Sequence, residues 1–325
     1  MKVFNVLSAI MSANRFTPEN LPDLENKLFF EGERLRPYLV RFAVLLFLST
    51  IIATGGILAD STATVIGAMI VAPLMTPIIA TTAALVMGRP KRALYSTLIV
   101  IGGIILVIVV SWLLGALSVS LVSFKTNSQI SGRISPAILD LVIALAAGAA
   151  GAFAMSRDDV ADSLPGVAIA IALVPPLSVV GISLSKGHWV AAFGSSLLFL
   201  TNLLSILLAG GAVFALLNLG PASIKERELT RQAQRKAYTY IAVGVLLVTI
   251  PLAINGYRVA RESYLEWQIV PITEEWLSAS ESDLELDDVN VFGNNVEVVV
   301  NGFSEPPLTE PLGEELVMLI PNLDE

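Results

Sequence analysis

Cysteine is absent and histidine occurs once, at His188, so two of the side chains that most often carry enzyme chemistry are missing or alone. Without them no thiolate zinc site, cysteine nucleophile or histidine-based triad can be assembled. No glycine loop suited to cradling a phosphate is present either. The expectation is a protein that is not an enzyme and uses no cofactor or metal. The chemistry that remains lies inside long apolar runs. Pro73 and Pro77 stand in Ala72-Pro73-Leu74-Met75-Thr76-Pro77, and Pro175-Pro176 in Val174-Pro175-Pro176-Leu177-Ser178. A proline within a helix removes a backbone donor and clashes with the preceding turn, which frees carbonyls for other partners. Thr76 and Ser178 follow the prolines, and their hydroxyls could re-satisfy those carbonyls or coordinate an ion. Asp140 is a carboxylate near the start of an apolar run, read either as a functional ionisable group or as a first-turn carboxylate favoured by the helix dipole. Asn202 brings an amide to the middle of another run, where it could line a path or bond across helices. Carbonyls, hydroxyls, an amide and a carboxylate suit the binding of solutes and ions; a catalytic carboxylate pair would need an acidic partner for Asp140, and none is evident within the runs.

The elements that would hold these groups are membrane helices. Hydrophobic residues make up 54% of the chain and charged residues 15%, with a mean hydropathy of +0.74. A soluble globule carries about a quarter charged residues, so this surface would not stay dissolved. Seven runs approach the roughly 20 apolar residues that cross a bilayer: Tyr38–Ala59, Thr62–Met87, Ala93–Leu117, Ala137–Met155, Leu164–Leu184, Val190–Leu217 and Tyr238–Asn255. Residues 1–36 read as carrying no secretory signal. Leu21, Leu24, Leu28 and Leu35 within them mark an amphipathic helix expected at the membrane surface.

The runs repeat. Asp60-Ser61 through Ala72-Pro73-Leu74 parallels Asp162-Ser163 through Val174-Pro175-Pro176 at an offset of 102. Arg92–Leu98 parallels Ala191–Leu197 at an offset of 99, as does Pro37 with Pro136 and Arg41 with Asp140. Each unit holds three spans, 37–118 and 136–218, so the second must enter the membrane from the opposite side. The expected fold is therefore an all-α polytopic membrane protein of two inverted three-helix repeats with proline-broken middle helices. A seventh span, 238–255, follows. Broken helices at matching places in inverted repeats point to a transporter's binding site; simple packing kinks are the other reading. Asp60 and Asp162 both stand at helix starts, as caps would.

The run Ile66-Gly67-Ala68-Met69-Ile70-Val71-Ala72-Pro73-Leu74-Met75-Thr76-Pro77 closely resembles the signature of the uncharacterised hydrophobic domain family of bacteria and archaea, domain of unknown function 389. Leu139–Leu141 with Ala144–Ala152, Gly166–Ala170 through Pro175-Pro176-Leu177, and Phe199-Leu200-Thr201-Asn202-Leu203 continue the resemblance, which covers about Arg36 to Asn218. It implies an integral membrane protein and no particular activity.

Beyond residue 256 the composition changes. From Tyr257 to Glu325 there are sixteen acidic residues and two basic ones, Arg258 and Arg261. Alternation at Val289, Val291, Val296, Val298 and Val300 about Gly293-Asn294-Asn295 predicts a β-hairpin, with helices over Tyr264–Leu277 and Leu312–Ile320. This acidic α+β extramembrane domain, 257–325, is expected to bind no nucleic acid. Counting Lys and Arg near the span ends puts twelve on the side of the N-terminus and five on the other. That predicts a cytoplasmic N-terminus, an extracytoplasmic C-terminal domain and a place in the bacterial inner membrane. The expected function is passage of a small solute or ion, as secondary transporter or channel, between the second and fifth helices. Small residues within the spans predict a homo-oligomer, most simply a dimer. The alternative is a membrane sensor or assembly scaffold whose acidic domain binds a partner.

Overall fold

A computed structural model describes residues 15–17, 19–118, 127–134, 138–157, 173–220, 231–278, 284–292, 295–302 and 309–319; some side chains inside these ranges, most of them at 231–259, are outside the description. The described residues are mostly helical and form two compact units, 1–253 and 254–325.

In the first unit a short amphipathic helix, α1 (Leu21–Leu28), leads through a single 3-10 turn (Gly32–Arg34) into α2 (Leu35–Leu58). Next come α3 (Thr62–Val71), α4 (Met75–Val86), α5 (Pro90–Leu117), α6 (Ser128–Ile134), α7 (Ile138–Met155), α8 (Val174–Ser185) and α9 (Trp189–Leu216). The boundaries have local causes. Ser61 caps α3 by accepting from the Thr64 amide at 3.4 Å. Pro90 opens α5, where its missing N–H is not needed. Gly88 and Gly187 adopt positive φ (64° and 77°) just past α4 and α8, and the chain closes onto the helix ends through Arg89 N to Ala84 O (2.8 Å) and His188 N to Ser183 O (2.9 Å).

Large apolar side chains lie on both sides of the long helices. On α5, Val100, Gly103, Val107 and Ser111 face inward. Leu94, Leu98, Ile101, Ile105, Val109 and Trp112 form an outward stripe, with Leu94 61% and Ile105 56% exposed. Val40, Val44, Leu48 and Ile52 do the same on α2. Water would reject stripes of this length, and acyl chains would not. Leu21–Leu58, Pro90–Leu117 and Trp189–Leu216 are each long and apolar enough to cross a membrane. Two bent pairs, α3 with α4 (50°) and α6 with α7 (88°), raise the number among the described residues to as many as five, and α8 is a shorter apolar helix. Seven runs were expected; residues 158–172, which hold much of the fifth, lie outside the described residues, as do most side chains of the seventh.

Two expectations change here. The apolar face of α1 is covered by protein and not left to a membrane surface: Leu21, Leu24 and Leu28 join the core that contains Ile78, Phe214 and Leu217. Farther on, the seventh run and the helix expected at 264–277 are one continuous helix, α10 (Arg231–Ser278). Between them residues 256–263 hold no proline, and Gly256 costs about 1 kcal/mol.

The second unit contains α10 from residue 254, β1 (Glu285–Phe292), β2 (Asn295–Asn301) and α11 (Glu310–Leu319). The strands are antiparallel, pairing Val289 with Val298 and Val291 with Val296, with an irregularity between Leu286 and Asp288. Asn295, expected in the turn, pairs with Phe292 inside the ladder. Val289 and Val291 pack with Leu265, Ile269, Leu312 and Leu316 in a small core.

Candidate functional site

Around the first pair of prolines the chain breaks. Helix α3 ends at Val71, Ala72 is extended, and α4 starts at Met75 at 50° to α3. Pro73 lies in the break; Thr76 and Pro77 occupy the first turn of α4, where a missing N–H loses no intrahelical bond. Pro175 and Pro176 likewise occupy the first turn of α8. They were expected within a helix; among the described residues they begin one, because proline's fixed φ suits a first turn.

The two half-helices are each 12 residues long and begin at Met75 and Val174, 99 residues apart. In that register Pro77 corresponds to Pro176. Thr76 and Ser178, equated at an offset of 102, do not hold equivalent places. Both half-helices pack against the same two long helices, α5 and α9. Gly181 of α8 is what lets α8 approach α5: a Cβ there would stand 2.6 Å from the Ile108 carbonyl oxygen and 2.8 Å from the Trp112 amide nitrogen. On the other half-helix, Thr82 lies against Gly210 and Gly211 of α9.

Carbonyls beside the prolines are taken by hydroxyls that sequence patterns did not single out. Ser49 on α2 donates to Ala68 O in the last turn of α3 (2.8 Å). Ser195 on α9 donates to Pro176 O (2.8 Å), while Thr81 and Thr82 donate back to Pro77 O and Ile78 O (2.9 and 3.1 Å). Ser49 and Ser195 are completely buried. A serine at core spacing on an apolar helix was the available signal, but its target carbonyl lies 19 residues away. Ser178 is also completely buried, and its hydroxyl has no hydrogen-bond partner among the described residues. Thr76 is half-buried.

Asn202 is buried on the inward face of α9, between Phe199 and Ile206, which belong to the same core cluster as Leu74, Leu173 and Val174. Its neighbours Thr201 and Ser205 turn back to carbonyls of their own helix. Asp140 lies in the first turn of α7, half-buried and close enough to Arg133 for the two charges to attract. Arg41 is exposed. The structure therefore places Pro77, Ser178 and Asn202 in the packed interior and Asp140 at an end.

Asp60 caps a different helix from the one expected. Ser61 serves α3, and the Asp60 carboxylate accepts from Ser128 Oγ (2.8 Å) and the Gln129 amide (3.1 Å) at the start of α6. These bonds hold its pKa below the usual carboxylate range. Asn127 adds a bond from Nδ2 to Ile57 O (2.8 Å). Asp162 lies outside the described residues.

Apolar helices with outward hydrophobic stripes, packed around a broken helix, define a helical membrane-associated protein. Residues 69–208 match the family described as a domain of unknown function, DUF389. The match runs from α3 into α9 and takes in both proline sites, Asp140 and Asn202. An uncharacterized protein of Methanocaldococcus jannaschii is 36% identical over 212 residues, which cover 65% of this chain and 63% of the relative. The chain thus spans less than two thirds of that relative's length. No solved structure matches it.

Proposed function

We propose that this protein passes a small solute or ion across a membrane, with the binding site beside the broken second helix and the start of α8, near Asn202. The observation that carries this reading is the break at Ala72-Pro73-Leu74, in a helix pair that together is long and apolar enough to span. Polar backbone at such depth is tolerated only inside protein or beside a water-filled cavity. The C-terminal carbonyls of α3 suit a cation and the N-terminal amides of α4 an anion.

Equal lengths support an inverted repeat. Helices α5 and α9 each have 28 residues and start at Pro90 and Trp189, again 99 apart. Contacts between Gly181 and Ser111, and between Thr82 and Gly210, relate by the same offset. Helix ends also gather into two sets, which supports the proposed division of the ends between two sides. Phe16 N bonds Leu217 O, and Glu25 pairs with Arg89 and Arg92, joining ends assigned to the cytoplasm. Lys186 donates to Ser118 O, and Asp60 bonds Ser128, joining ends assigned to the far side. We place the acidic C-terminal unit outside a bacterial inner membrane and the protein in a homodimer.

Reconstitution into liposomes, with uptake of a panel of small cations, anions and neutral solutes, tests the reading. Uptake of at least one solute above empty liposomes is the expected result. No uptake by folded protein in either orientation would overturn it in favour of a sensor or scaffold, a reading that the separate compact unit at 254–325 supports.

A further inference from the structure

Beneath the turn Phe29–Gly32, between the first turns of α2 and α5, lies a cavity of about 310 Å³. Phe30, Tyr38, Tyr95 and Ile99 give it apolar and aromatic walls, and Pro77 with Ala80 of α4 forms its inner side. Phe30 stacks on Tyr38 with ring centroids 3.9 Å apart. The covering turn is fastened by Arg92. Its guanidinium donates to both carboxylate oxygens of Glu31 (2.6 and 3.1 Å) and to Glu25 (2.5 Å), and it lies 4.7 Å from the centre of the Phe29 ring. Glu25 also pairs with the buried Arg89. Among Arg89, Lys91 and Arg92 set against Glu25 and Glu31, one positive charge is uncompensated. Lys91 carries it: the residue is exposed at the cavity's rim and forms no ion pair among the described residues.

We propose that this cavity holds one anionic phospholipid, with its phosphate at the Lys91 ammonium and the head of an acyl chain against Tyr95 and Ile99. Three features select this occupant. The volume is at the lower end of small-molecule sites and its walls are apolar, which a free inorganic anion would not use. Outside the rim, Val40 on α2 and Leu94 and Leu98 on α5 are exposed, so the apolar flank continues into the surface that faces acyl chains. A zwitterionic headgroup brings its own cation beside Lys91, and an anionic one does not. The inner wall is the half-helix that follows the break, so an occupied cavity braces α4 against α2 and α5. This inference needs the helices to lie in a bilayer and does not depend on transport.

The test uses the full-length protein in discs of phosphatidylcholine alone or mixed with phosphatidylglycerol, with retained lipid counted by native mass spectrometry and stability by thermal melting. One phosphatidylglycerol should be retained, and the melting temperature should rise relative to phosphatidylcholine. Lys91→Ala should reduce retention by roughly fivefold, the share expected of one lysine near an anionic headgroup. Lys91→Arg should keep it, and Ile99→Trp, which fills the cavity and leaves the charge, should displace the lipid. Lys91 is exposed, so its variants should fold normally in phosphatidylcholine. Glycerol phosphate without acyl chains should neither stabilise the protein nor compete. Retention at the wild-type level in Lys91→Ala and Ile99→Trp would overturn the proposal, and full competition by glycerol phosphate would make this a site for a free anion.

Discussion

Ser49 and Ser195 each bring a hydroxyl from a neighbouring helix to a carbonyl at a half-helix end, and glycine allows the helices that carry such groups to touch. At Gly148 a Cβ would stand 2.6 Å from the Ile206 Cα, backbone that cannot swing aside. At Gly67 nothing lies within 4 Å. Gly148→Ala should therefore destabilise by about 1–3 kcal/mol through overpacking, while Gly67→Ala should gain about 0.5–1 kcal/mol of helix stability. Melting both variants in one detergent checks the contrast, and equal effects would contradict the helix contact. Asp60 makes a pH-dependent prediction. Its folded pKa is depressed, so its contribution is present above the ordinary carboxylate pKa and is lost as pH falls through the lower folded value. The stability difference between wild type and Asp60→Ala should be largest near neutrality and shrink in acid. A difference that grows on acidification would mean that the Ser128 and Gln129 bonds are not what Asp60 contributes.

At the level of elements the prolines divide into two kinds. Pro73 lies between α3 and α4, whereas Pro77, Pro175 and Pro176 occupy first turns that have no use for the missing donor. Pro73→Ala should lengthen and straighten the α3–α4 pair, seen as a change in spin-label distance between Thr62 and Val86. Pro77→Ala and Pro176→Ala should leave it nearly unchanged. If the break forms the solute site, Pro73→Ala should also lose uptake per folded molecule while keeping or raising its melting temperature. A straight α3–α4 pair with undiminished uptake would separate the break from transport. Sequence patterns indicated that the second run is broken, because a proline and its neighbours can be read locally. They did not indicate which proline breaks it, since that depends on where the following helix nucleates.

At the scale of the whole chain, the C-terminal unit responds to pH with the opposite sign. Glu266 on α10 accepts from the Val291 amide (3.3 Å), and burial, helped by Asp288 and Glu262, raises its pKa. A raised carboxyl pKa means that the folded unit prefers the proton, so ionisation on going to neutral pH destabilises it. Glu266→Gln keeps an acceptor for Val291 and removes the charge. It should stabilise the hairpin at pH 7, and the advantage should disappear below the ordinary glutamate pKa. Amide hydrogen exchange of β1 and β2 in the full-length protein measures this directly. Ile269→Ala, at the centre of the same small core, should cost about 2–5 kcal/mol and release those strands first.

Composition and run length alone determine that these helices are apolar, roughly where most of them start and stop, and that a polar, acidic αββα unit follows. Those properties depend on hydropathy, helix propensity and turn residues, all local in the chain. The tertiary structure decided what α1 faces, because an apolar stripe is equally suited to lipid and to protein until a partner is placed against it. It likewise decided which helix Asp60 caps, that Ser49 reaches Ala68, and that Glu25, Glu31 and Arg92 close a turn over a cavity. Each joins residues 19 to 69 positions apart, and a contact at that separation is set by how helices pack, which no local pattern records.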